Sequence, residues 1–522
     1  MSHWFSTPWG DGALLGGILA LALAFRLAGI MREHPWLDEV MTLFHLHEAS
    51  FGEFVAGVRR TEGTASFAYL PLAWGAVRLI PGGHVLVLRG VSIALGLASL
   101  AGVYVLGYRA AGRHAAVTAT LFLAVSQTHV HYSQEIRPYA LLMAAAALSS
   151  IAFLNAYARP TPSKRWIALN TAANAVVVWA HMLAPLLLAA QGLTLWGLMM
   201  RRYTRWIAWG LLQMPAVILL AVLWIRTLDW ELVGDVTGHV GLPGIADLRG
   251  YFHVLLGTLF HHTPDLTVFM RTGKTLELGI LALGGIGLLG SAWAFVRPMR
   301  APRAAPSMWE PRFAILYLSL WSLVPAGALF LFSYVWMPIF VVHYVIHAIM
   351  PLALLVTIGL GQLPGRWLRG GLAALLILAA AHEHLAFAGP ARPNYADAFQ
   401  PIVEADAGEE TIVVYPPHYE LTVAYNWRRL HGGRPEPRLE TVEDLEVAPD
   451  LLAERAAEGS VWLLVHGRWT VPSELEERLR AADLVIERYP IPGGVRRLFV
   501  YEAAASDRNG HECVVEGRSE QP

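Results

Sequence analysis

Residues 131–139 read His-Tyr-Ser-Gln-Glu-Ile-Arg-Pro-Tyr and lie between two apolar runs, at 115–129 and 137–158. Charged groups are costly in hydrocarbon, so ionisable residues placed where helices enter and leave a membrane are functional candidates. Glu135 and Arg137 are such residues, because the apolar runs on both sides hold them at a membrane face. The stretch therefore predicts a helical membrane protein with a polar site at one edge.

The chain of 522 residues has the composition of a membrane protein. It is 55% hydrophobic and only 15% charged, whereas soluble domains average about 25% charged residues, and its mean hydropathy is +0.45. The net charge of −1 supplies no basic field for a nucleic acid, so no nucleic-acid partner is expected. The single cysteine, Cys513, excludes an intrachain disulfide.

Apolar runs of about 18 residues or more are the usual sign of membrane-spanning helices. Counting them together with shorter runs predicts about eleven spans. The segment 66–80 is also apolar, but Pro71 interrupts it, and we predict an interfacial or re-entrant helix there. The predicted spans lie near residues 12–30, 85–108, 115–129, 137–158, 166–181, 183–200, 206–226, 276–296, 313–333, 339–361 and 371–389.

Basic residues fall in alternate loops between these spans, which indicates an orientation by the positive-inside rule. The rule predicts a cytoplasmic amino terminus. It also predicts that Asp38-Glu39, the 131–139 stretch, His181 and the loop 227–275 share the outer face. The basic residues of the predicted cytoplasmic loops are Arg109, Arg113, Arg159, Lys164, Arg165, Arg201, Arg202, Arg205, Arg297, Arg300, Arg303, Arg312, Arg366 and Arg369.

The character of the sequence changes after residue 390. Short strand-like runs alternate with charged helical stretches, which is typical of a small α/β domain. We therefore predict an external α/β domain over 391–502 and a disordered tail over 503–522. The membrane domain, 1–390, then carries two external loops, 31–84 and 227–275. The strand-like runs are 411–415, 461–465 and 497–501, and the helical stretches include 450–458 and 473–482.

Asp38 and Glu39 follow the first apolar run. A carboxylate at the membrane edge can take a proton from an acceptor hydroxyl, or orient a metal or a phosphate. The alternative is structural, because acidic residues favour the first turn of a helix, and an amphipathic helix is predicted from Val40 to Arg59. Spacing alone leaves both interpretations open.

Gln134, Glu135 and Arg137 form the second polar group. An arginine at the start of a membrane helix can hold a lipid phosphate through paired hydrogen bonds. Glu135 can fix that arginine or serve a metal. The alternative is a structural ion pair that closes the loop, and the sequence excludes neither.

Most of the 21 histidines need no catalytic explanation. His343 and His347 are four residues apart, so on one helix they would face the same side and could ligate a metal, although no acidic residue adjoins them. The sequence has no Walker-type or Rossmann glycine loop, and its cytoplasmic loops are too short for a nucleotide-binding domain. An activated donor must therefore arrive through the membrane, on a lipid.

Several stretches resemble bacterial membrane glycosyltransferases of the dolichyl-phosphate-mannose–protein mannosyltransferase superfamily, which has the GT-C fold and includes aminoarabinose transferases. Residues 132–142 are close to the family motif Tyr-Ser-Arg/Gln-Glu-Ala-Arg-x-Tyr-Ala-Leu, and Leu37-Asp38-Glu39 is similar to the acidic motif after the first span. Ala180-His181-Met182 occupies the family's Thr-His-Tyr position, and His343-Tyr344 its Arg-Tyr position. The resemblance covers roughly residues 10–390.

The sequence departs from the family pattern at two places. The family often has His-Pro-Pro-Leu-Tyr-Tyr before the segment 66–80, whereas Thr64-Ala65-Ser66-Phe67-Ala68-Tyr69 stands here. His343 replaces the arginine of Arg-Tyr. Relatives contact a metal or a lipid phosphate at these positions, so the resemblance leaves metal use open.

The resemblance implies an inverting glycosyltransferase of the bacterial inner membrane, with the external domain on the periplasmic side. Its donor would be a polyprenyl-phosphate sugar, and its acceptor a glycan, lipid or protein of the cell envelope. Asp38 would be the catalytic base, with Glu39 beside it. The resemblance makes no cofactor certain, and it leaves a divalent metal open. The residues implied to bind the donor are Gln134, Glu135, Arg137, Tyr139, His181, His343 and Tyr344.

Two other classes of function stay open. A non-catalytic member of the same fold would explain the two departures. A transporter or lipid flippase would place charges inside spans, as Arg26 and Arg89 are placed, but it would also predict the internal repeat common in transporters, and none is evident.

Overall fold

The computed structural model describes residues 9–28, 30–31, 34–62, 66–158, 163–199, 203–227, 241–245, 247–248, 251–252, 266–296, 309–386, 394–405, 410–445, 447–457, 461–467, 473–481, 484–490 and 497–505. The chain forms two compact units. The first comprises Met1–Met31 and Met41–Ala388, and the second comprises Arg32–Val40 and Gly389–Pro522.

The first unit is helical. Its helices are α1 (Trp9–Leu27), α2 (Leu37–Leu43, shared with the second unit), α3 (Phe51–Glu62), α4 (Tyr69–Leu79), α5 (His84–Ala111), α6 (Arg113–Val125), α7 (Gln127–Tyr132), α8 (Tyr139–Tyr157), α9 (Lys164–Ala180), α10 (Pro185–Met199), α11 (Tyr203–Thr227), α12 (Leu266–Val296), α13 (Pro311–Val335), α14 (Ile349–Leu360) and α15 (Arg366–Ala386). Short 3-10 helices cover Phe44–His47 and Val342–Ala348.

In the described part of the chain, six helices are long and apolar enough to cross a membrane, which confirms the predicted α-helical polytopic membrane fold. The other predicted spans also coincide with helices, but the number eleven stays a prediction. The six are His84–Ala111, Tyr139–Tyr157, Tyr203–Arg226, Gly279–Val296, Pro311–Val335 and His343–Leu360.

The structure agrees with one of the two helices predicted in the segment 31–84 and differs from the other. The helix predicted from Val40 to Arg59 is wrong as a single element, because the chain leaves the α conformation at Phe44 and resumes it at Phe51. The apolar segment 66–80 contains α4, whose 11 residues extend about 16 Å. That length is about half of the hydrocarbon core of a bilayer, which agrees with an interfacial element.

Amide side chains form a buried polar network among α8, α9, α10 and α11. Asn174 Nδ2 donates to Oε1 of Gln191 at 2.9 Å and to Oε1 of Gln213 at 3.0 Å, and its Oδ1 accepts from Ser149 Oγ at 2.5 Å. Gln191 Nε2 returns a bond to Ser149 Oγ at 2.8 Å. In a membrane these groups have no water to bond, so the network stabilises this set of helices by about 0.6 kcal/mol per bond.

Glycines allow two helices to cross with their backbones in contact. A Cβ atom on Gly359 of α14 would lie 1.6 Å from the carbonyl oxygen of Gly287 on α12. No side chain larger than hydrogen fits there, so the crossing requires glycine at Gly359. Small residues at such contacts are common between membrane helices.

The second unit is an α/β fold. Its strands are β1 (Thr411–Tyr415), β2 (Arg438–Thr441), β3 (Val461–Gly467), β4 (Leu484–Pro490) and β5 (Arg497–Ala505), and its helices are α16 (Tyr395–Ala405), α17 (Glu420–His431), α18 (Ala448–Ala456) and α19 (Ser473–Ala481), with a 3-10 turn at Pro417–Tyr419. The sheet has the order β2-β1-β3-β5-β4, in which β1 is parallel to β2 and β3, and β5 is antiparallel to β3 and β4.

Alternate residues of the strands bury opposite faces of this sheet. Val413 and Leu463 pack with α18 and α19, whereas Val414 and Trp462 pack with α16 and α17. Helices therefore cover both faces of this mixed sheet.

The three strand-like runs of the sequence are β1, β3 and β5. Strands β2 and β4 were not predicted. Strand β5 continues to Ala505, three residues into the predicted tail, and residues 506–522 lie outside the described residues. The grouping of Arg32–Val40 with the second unit also differs from the predicted membrane domain 1–390.

Candidate active site

The loop 133–138, between α7 and α8, is fixed by side chains of other helices. Ser92 Oγ on α5 donates to the carbonyl oxygen of Glu135 at 2.8 Å. Gln134 Nε2 donates to the carbonyl oxygen of Arg26, in the last turn of α1, at 2.6 Å. Glu135 is buried, whereas Arg137 is half-buried. The loop backbone is therefore held from two helices, and Arg137 lies where solvent can reach it.

A second layer of hydrogen bonds lies beneath this loop. Arg26 Nη2 and the Nδ1 atom of His129 are 2.8 Å apart, and Arg26 Nη1 donates to the carbonyl oxygens of Ala22 and Ala124 at 2.8 and 3.1 Å. Ser133 Oγ donates to the carbonyl oxygen of His129 at 2.5 Å. Arg26 and His129 are completely buried, so they link α1 to the start of the loop within the protein interior.

Gly96 on α5 makes room for the first residue of the loop. A Cβ atom at this position would lie 2.3 Å from Ser133 Oγ. Any larger residue would push the loop away from α5 and lengthen the bond between Ser92 and Glu135.

Four residues that the resemblance implies as donor-binding meet in one cluster of rings, together with Tyr132. Tyr139 lies 6.0 Å from His181 and 5.5 Å from His343, measured between ring centroids. Tyr344 lies 5.4 Å from His181 and 4.8 Å from His343. Tyr132 adjoins Tyr139 at 5.2 Å. We call these five residues the aromatic cluster. It joins α7, the start of α8, the residue after α9 and the 3-10 helix before α14.

Arg137 belongs to the same region as the aromatic cluster. Its guanidinium lies close enough to His181 for the two side chains to interact electrostatically. Of the predicted donor-binding residues, Arg137 is therefore the cation beside the rings. A cation beside aromatic and imidazole groups can bind an anion while the rings contact an apolar or sugar surface.

The stretch that departs from the family motif docks at the same place. Ser66 Oγ donates to the carbonyl oxygen of Ala180, the residue before His181, at 2.7 Å. The backbone N–H of Ala68 donates to the carbonyl oxygen of Trp179 at 3.0 Å. Tyr69 is buried. The segment thus packs against the end of α9 without the histidine and prolines of the motif; Thr64 and Ala65 lie outside the described residues.

The prediction that His343 and His347 face one side of a helix is wrong. Val345, between them, has the non-helical angles φ −121° and ψ 26°. His343 joins the aromatic cluster, whereas His347 is completely buried and its Nδ1 accepts from Trp321 Nε1 at 2.8 Å. The two histidines have different partners because the chain kinks, so their spacing gives no support to a metal site.

Within the described ranges, no group of three or more His, Cys, Asp or Glu side chains could hold a metal ion. The described residues therefore add no support for the divalent metal that the resemblance leaves open.

Asp38 and Glu39 lie in the first turn of α2. Asp38 is half-buried and Glu39 is buried. The helix begins with the N–H of Val40 bonded to the carbonyl oxygen of Trp36 at 2.9 Å. Both interpretations of the pair remain, because a first-turn position stabilises a helix and leaves the Asp38 carboxylate accessible.

Sequence reasoning missed three contributors to this region, Tyr132, Ser66 and the Arg26–His129 pair. Tyr132 lies within the stretch that resembles the family motif, but the resemblance gives it no role. Arg26 was visible as a charge inside the first apolar run, which signals a buried partner. Nothing in the sequence signalled Ser66, because a serine in a loop is ordinary.

Solved structures of membrane glycosyltransferases match most of this chain, at low sequence identity and with TM-scores below 0.5. The structure of ArnT from Cupriavidus metallidurans bound to undecaprenyl phosphate is 14% identical, with a TM-score of 0.49, over 95% of this chain and 98% of that one. The archaeal oligosaccharyltransferase AglB from Archaeoglobus fulgidus, in complex with an inhibitory peptide and a dolichol-phosphate, is 14% identical, with a TM-score of 0.49, over 98% and 76%.

The arabinofuranosyltransferase AftD from Mycobacteria is 16% identical, with a TM-score of 0.44, over 94% of this chain and 42% of that one. No protein-family model matches the sequence, and no curated protein matches it.

Proposed function

We propose that the protein is an inverting glycosyltransferase that moves a sugar from a polyprenyl-phosphate donor to an acceptor hydroxyl of the cell envelope. The observation that supports this most is the convergence of Tyr139, His181, His343 and Tyr344 beside Arg137. These residues come from three distant parts of the sequence, and each occupies a position in the transferase motifs.

Arg137 would bind the phosphate of the donor. A guanidinium forms two parallel hydrogen bonds to phosphate oxygens, and the loop that carries it is held by Ser92 and Gln134. The aromatic cluster would pack against the sugar or the first isoprene unit, because its rings offer flat apolar surface.

The reaction would be a single displacement. The acceptor oxygen attacks the anomeric carbon from the side opposite the phosphate, and the bond from that carbon to the phosphate oxygen breaks. Polyprenyl phosphate leaves with the bonding electron pair, and Asp38 takes the proton of the acceptor hydroxyl. The phosphate gains one unit of negative charge during this step, so Arg137 stabilises the transition state as well as the bound donor.

The test is sugar transfer by the purified full-length protein in lipid vesicles, supplied with a panel of polyprenyl-phosphate sugars. Release of polyprenyl phosphate that depends on acceptor supports the proposal. Arg137→Ala should raise the KM for the donor about 10- to 100-fold, because hydrogen bonds to charged groups contribute about 1.5–3 kcal/mol. Arg312→Ala is the control, since Arg312 is at the start of α13 and contacts the Val296 carbonyl oxygen. Absence of polyprenyl phosphate release with every donor would refute the function.

The outer-face orientation is part of the proposal and has its own test. Single cysteines introduced at positions 163 and 440 of a Cys513→Ser protein should react with an impermeant thiol reagent from outside only at position 440. Labelling at 163 and not at 440 would reverse the topology and place the site in the cytoplasm.

The transporter alternative receives little support from the two charges that suggested it. Arg26 is completely buried with protein partners, and Arg89 Nη1 donates to the carbonyl oxygen of Ile30 at 2.5 Å. Charges of a transport pathway line water-filled cavities, whereas these two tie helices and loops together.

A further inference from the structure

The second unit contains the segment that carries the acidic pair. Residues Arg32–Val40 group with Gly389–Pro522, although nearly 350 residues of chain separate them. Asp38 and Glu39 therefore belong structurally to the α/β unit and not to the helices that precede and follow them in sequence.

Asn426 makes the central contact of this grouping. Its Nδ2 donates to the carbonyl oxygen of Pro35 at 2.9 Å and to that of Thr422 at 3.0 Å. Both neighbours are acceptors, so only the amide nitrogen can face them, which fixes the orientation of the side chain. Asn426 is completely buried, and a buried carbonyl that lost this donor would be destabilising.

His34 makes two further contacts with the same unit. Arg429, one turn after Asn426 on α17, donates to Nδ1 of His34. The His34 ring meets Tyr395 edge-on, with 6.4 Å between centroids. Tyr395 begins α16, and its hydroxyl lies 3.4 Å from Nε2 of His466 at the end of β3.

The contacts reach the core of the α/β fold. Val423 and Trp427, which flank Asn426 on α17, pack on the sheet with Tyr395. The backbone at His34 and Pro35 is thus held by a rigid support. Asp38 follows Pro35 by three residues. It lies in the first turn of α2, whose first backbone hydrogen bond is accepted by the Trp36 carbonyl oxygen.

We propose that the α/β unit positions the catalytic carboxylate: Asn426 and Arg429 hold His34 and Pro35, and this fixes the backbone that presents Asp38. The proposal rests on the function proposed above, in which Asp38 is the base. It gives the α/β unit a role in turnover rather than in binding the donor. Asn426 and Arg429 are positioning residues, because they touch the segment and not the reacting atoms.

The test compares Asn426→Leu, which keeps the volume and removes the donor, with Arg429→Ala, an exposed change that leaves the sheet core intact. The full-length protein in lipid vesicles is assayed with the polyprenyl-phosphate sugar that it uses. Both variants should lower kcat by about tenfold or more, since small displacements of a catalytic group cost up to about 100-fold, while the KM for the donor changes less than about twofold.

Arg428→Ala is the matched control. Arg428 is the neighbour of Arg429 but pairs with Glu436 at 2.6 and 2.9 Å on the surface, and its guanidinium lowers the pKa of the Glu436 carboxyl. Surface pairs of this kind contribute little to stability. Kinetics like those of the unaltered protein are therefore expected.

Two further measurements separate positioning from general damage. Hydrogen exchange of backbone amides in residues 34–40 should be faster in both variants than in the control. In an Asp38→Asn background, Asn426→Leu should lower the residual rate no further, because residues that act as a unit are not additive.

Unchanged exchange of residues 34–40 with unchanged kcat would overturn the proposal, and so would faster exchange without loss of kcat. Fully multiplicative effects of Asp38→Asn and Asn426→Leu would also overturn it. A normal rate in Asp38→Asn alone would instead remove Asp38 as the base. In that case, exchange would still report whether Asn426 holds the segment.

Discussion

Arg26 and His129 form a buried pair in which Nη2 of the arginine lies 2.8 Å from Nδ1 of the histidine. Because arginine only donates, Nδ1 of His129 is the acceptor and its Nε2 carries the hydrogen. Nε2 therefore donates to Ser99 Oγ at 3.1 Å, and Ser99 Oγ donates to the carbonyl oxygen of Gly96 at 2.7 Å. The pair thus ties α1, α5 and α7 together directly below the loop that carries Arg137.

Replacement of Arg26 should loosen that loop. Arg26→Gln removes the charge and the bond to Ala124, so we expect the KM for the lipid donor to rise about 10-fold, as for the loss of one hydrogen bond to a charged group. Arg26→Lys keeps the charge but has one donor nitrogen in place of the guanidinium. Its KM for the lipid donor should lie between those of the unaltered protein and Arg26→Gln. Equal kinetics for all three proteins would contradict a role of this pair in holding the loop.

Asn174 should matter for stability and not for chemistry. Asn174→Leu removes the donor that the side-chain oxygens of Gln191 and Gln213 share. Gln191 Oε1 still accepts from Asn170 Nδ2 at 3.3 Å, so the cost, about 1–3 kcal/mol, comes mainly from the buried Gln213 oxygen. The midpoint of thermal unfolding in detergent should fall by several degrees. Thr171→Ala, on the same helix, removes only a 3.5 Å contact with Gln213 and should leave the midpoint unchanged. Equal unfolding midpoints for Asn174→Leu and Thr171→Ala would show that the amide network does not stabilise the protein.

Gly359→Ala tests the close crossing of α12 and α14. The added methyl group would overlap the Gly287 carbonyl oxygen, so the helices must separate and the protein should lose most of its thermal stability. Gly285→Ala, on α12, meets nothing within 4 Å and should be tolerated or slightly stabilising, because alanine favours helix over glycine by about 1 kcal/mol. A tolerated Gly359→Ala would mean that these backbones are not in contact.

Periodicity and hydropathy predicted the helices of the membrane unit because long apolar runs have one stable structure in lipid. They predicted β1, β3 and β5 for a similar reason, since these strands are buried on both faces and read as continuous apolar runs. Strand β2 was missed because Arg438 and Glu440 make it polar, and its edge position requires no apolar run.

The aromatic cluster could be predicted only as a set of motif residues. Nothing local in the sequence brings Tyr139 to His343; their contact follows from the packing of α8 against the 3-10 helix Val342–Ala348. The sequence likewise gave no sign of the kink at Val345. His343 and His347 were therefore expected on one side of a helix, whereas their rings point to different partners. The grouping of Asp38 with the α/β unit brings together residues that are distant in sequence, such as Pro35 and Asn426, and no periodic pattern reports such contacts.

The catalytic role of Asp38 is the central claim, and the rate of sugar transfer by Asp38→Asn tests it most directly. Asparagine keeps the size of the side chain but cannot accept the acceptor's proton as a carboxylate does, and a general base contributes typically about 10²–10⁴-fold. With saturating polyprenyl-phosphate donor, kcat should therefore fall by about that factor, while the thermal unfolding midpoint and membrane insertion remain those of the unaltered protein. A kcat within about twofold of the unaltered value would contradict the account, because general-base catalysis by this residue would then be excluded.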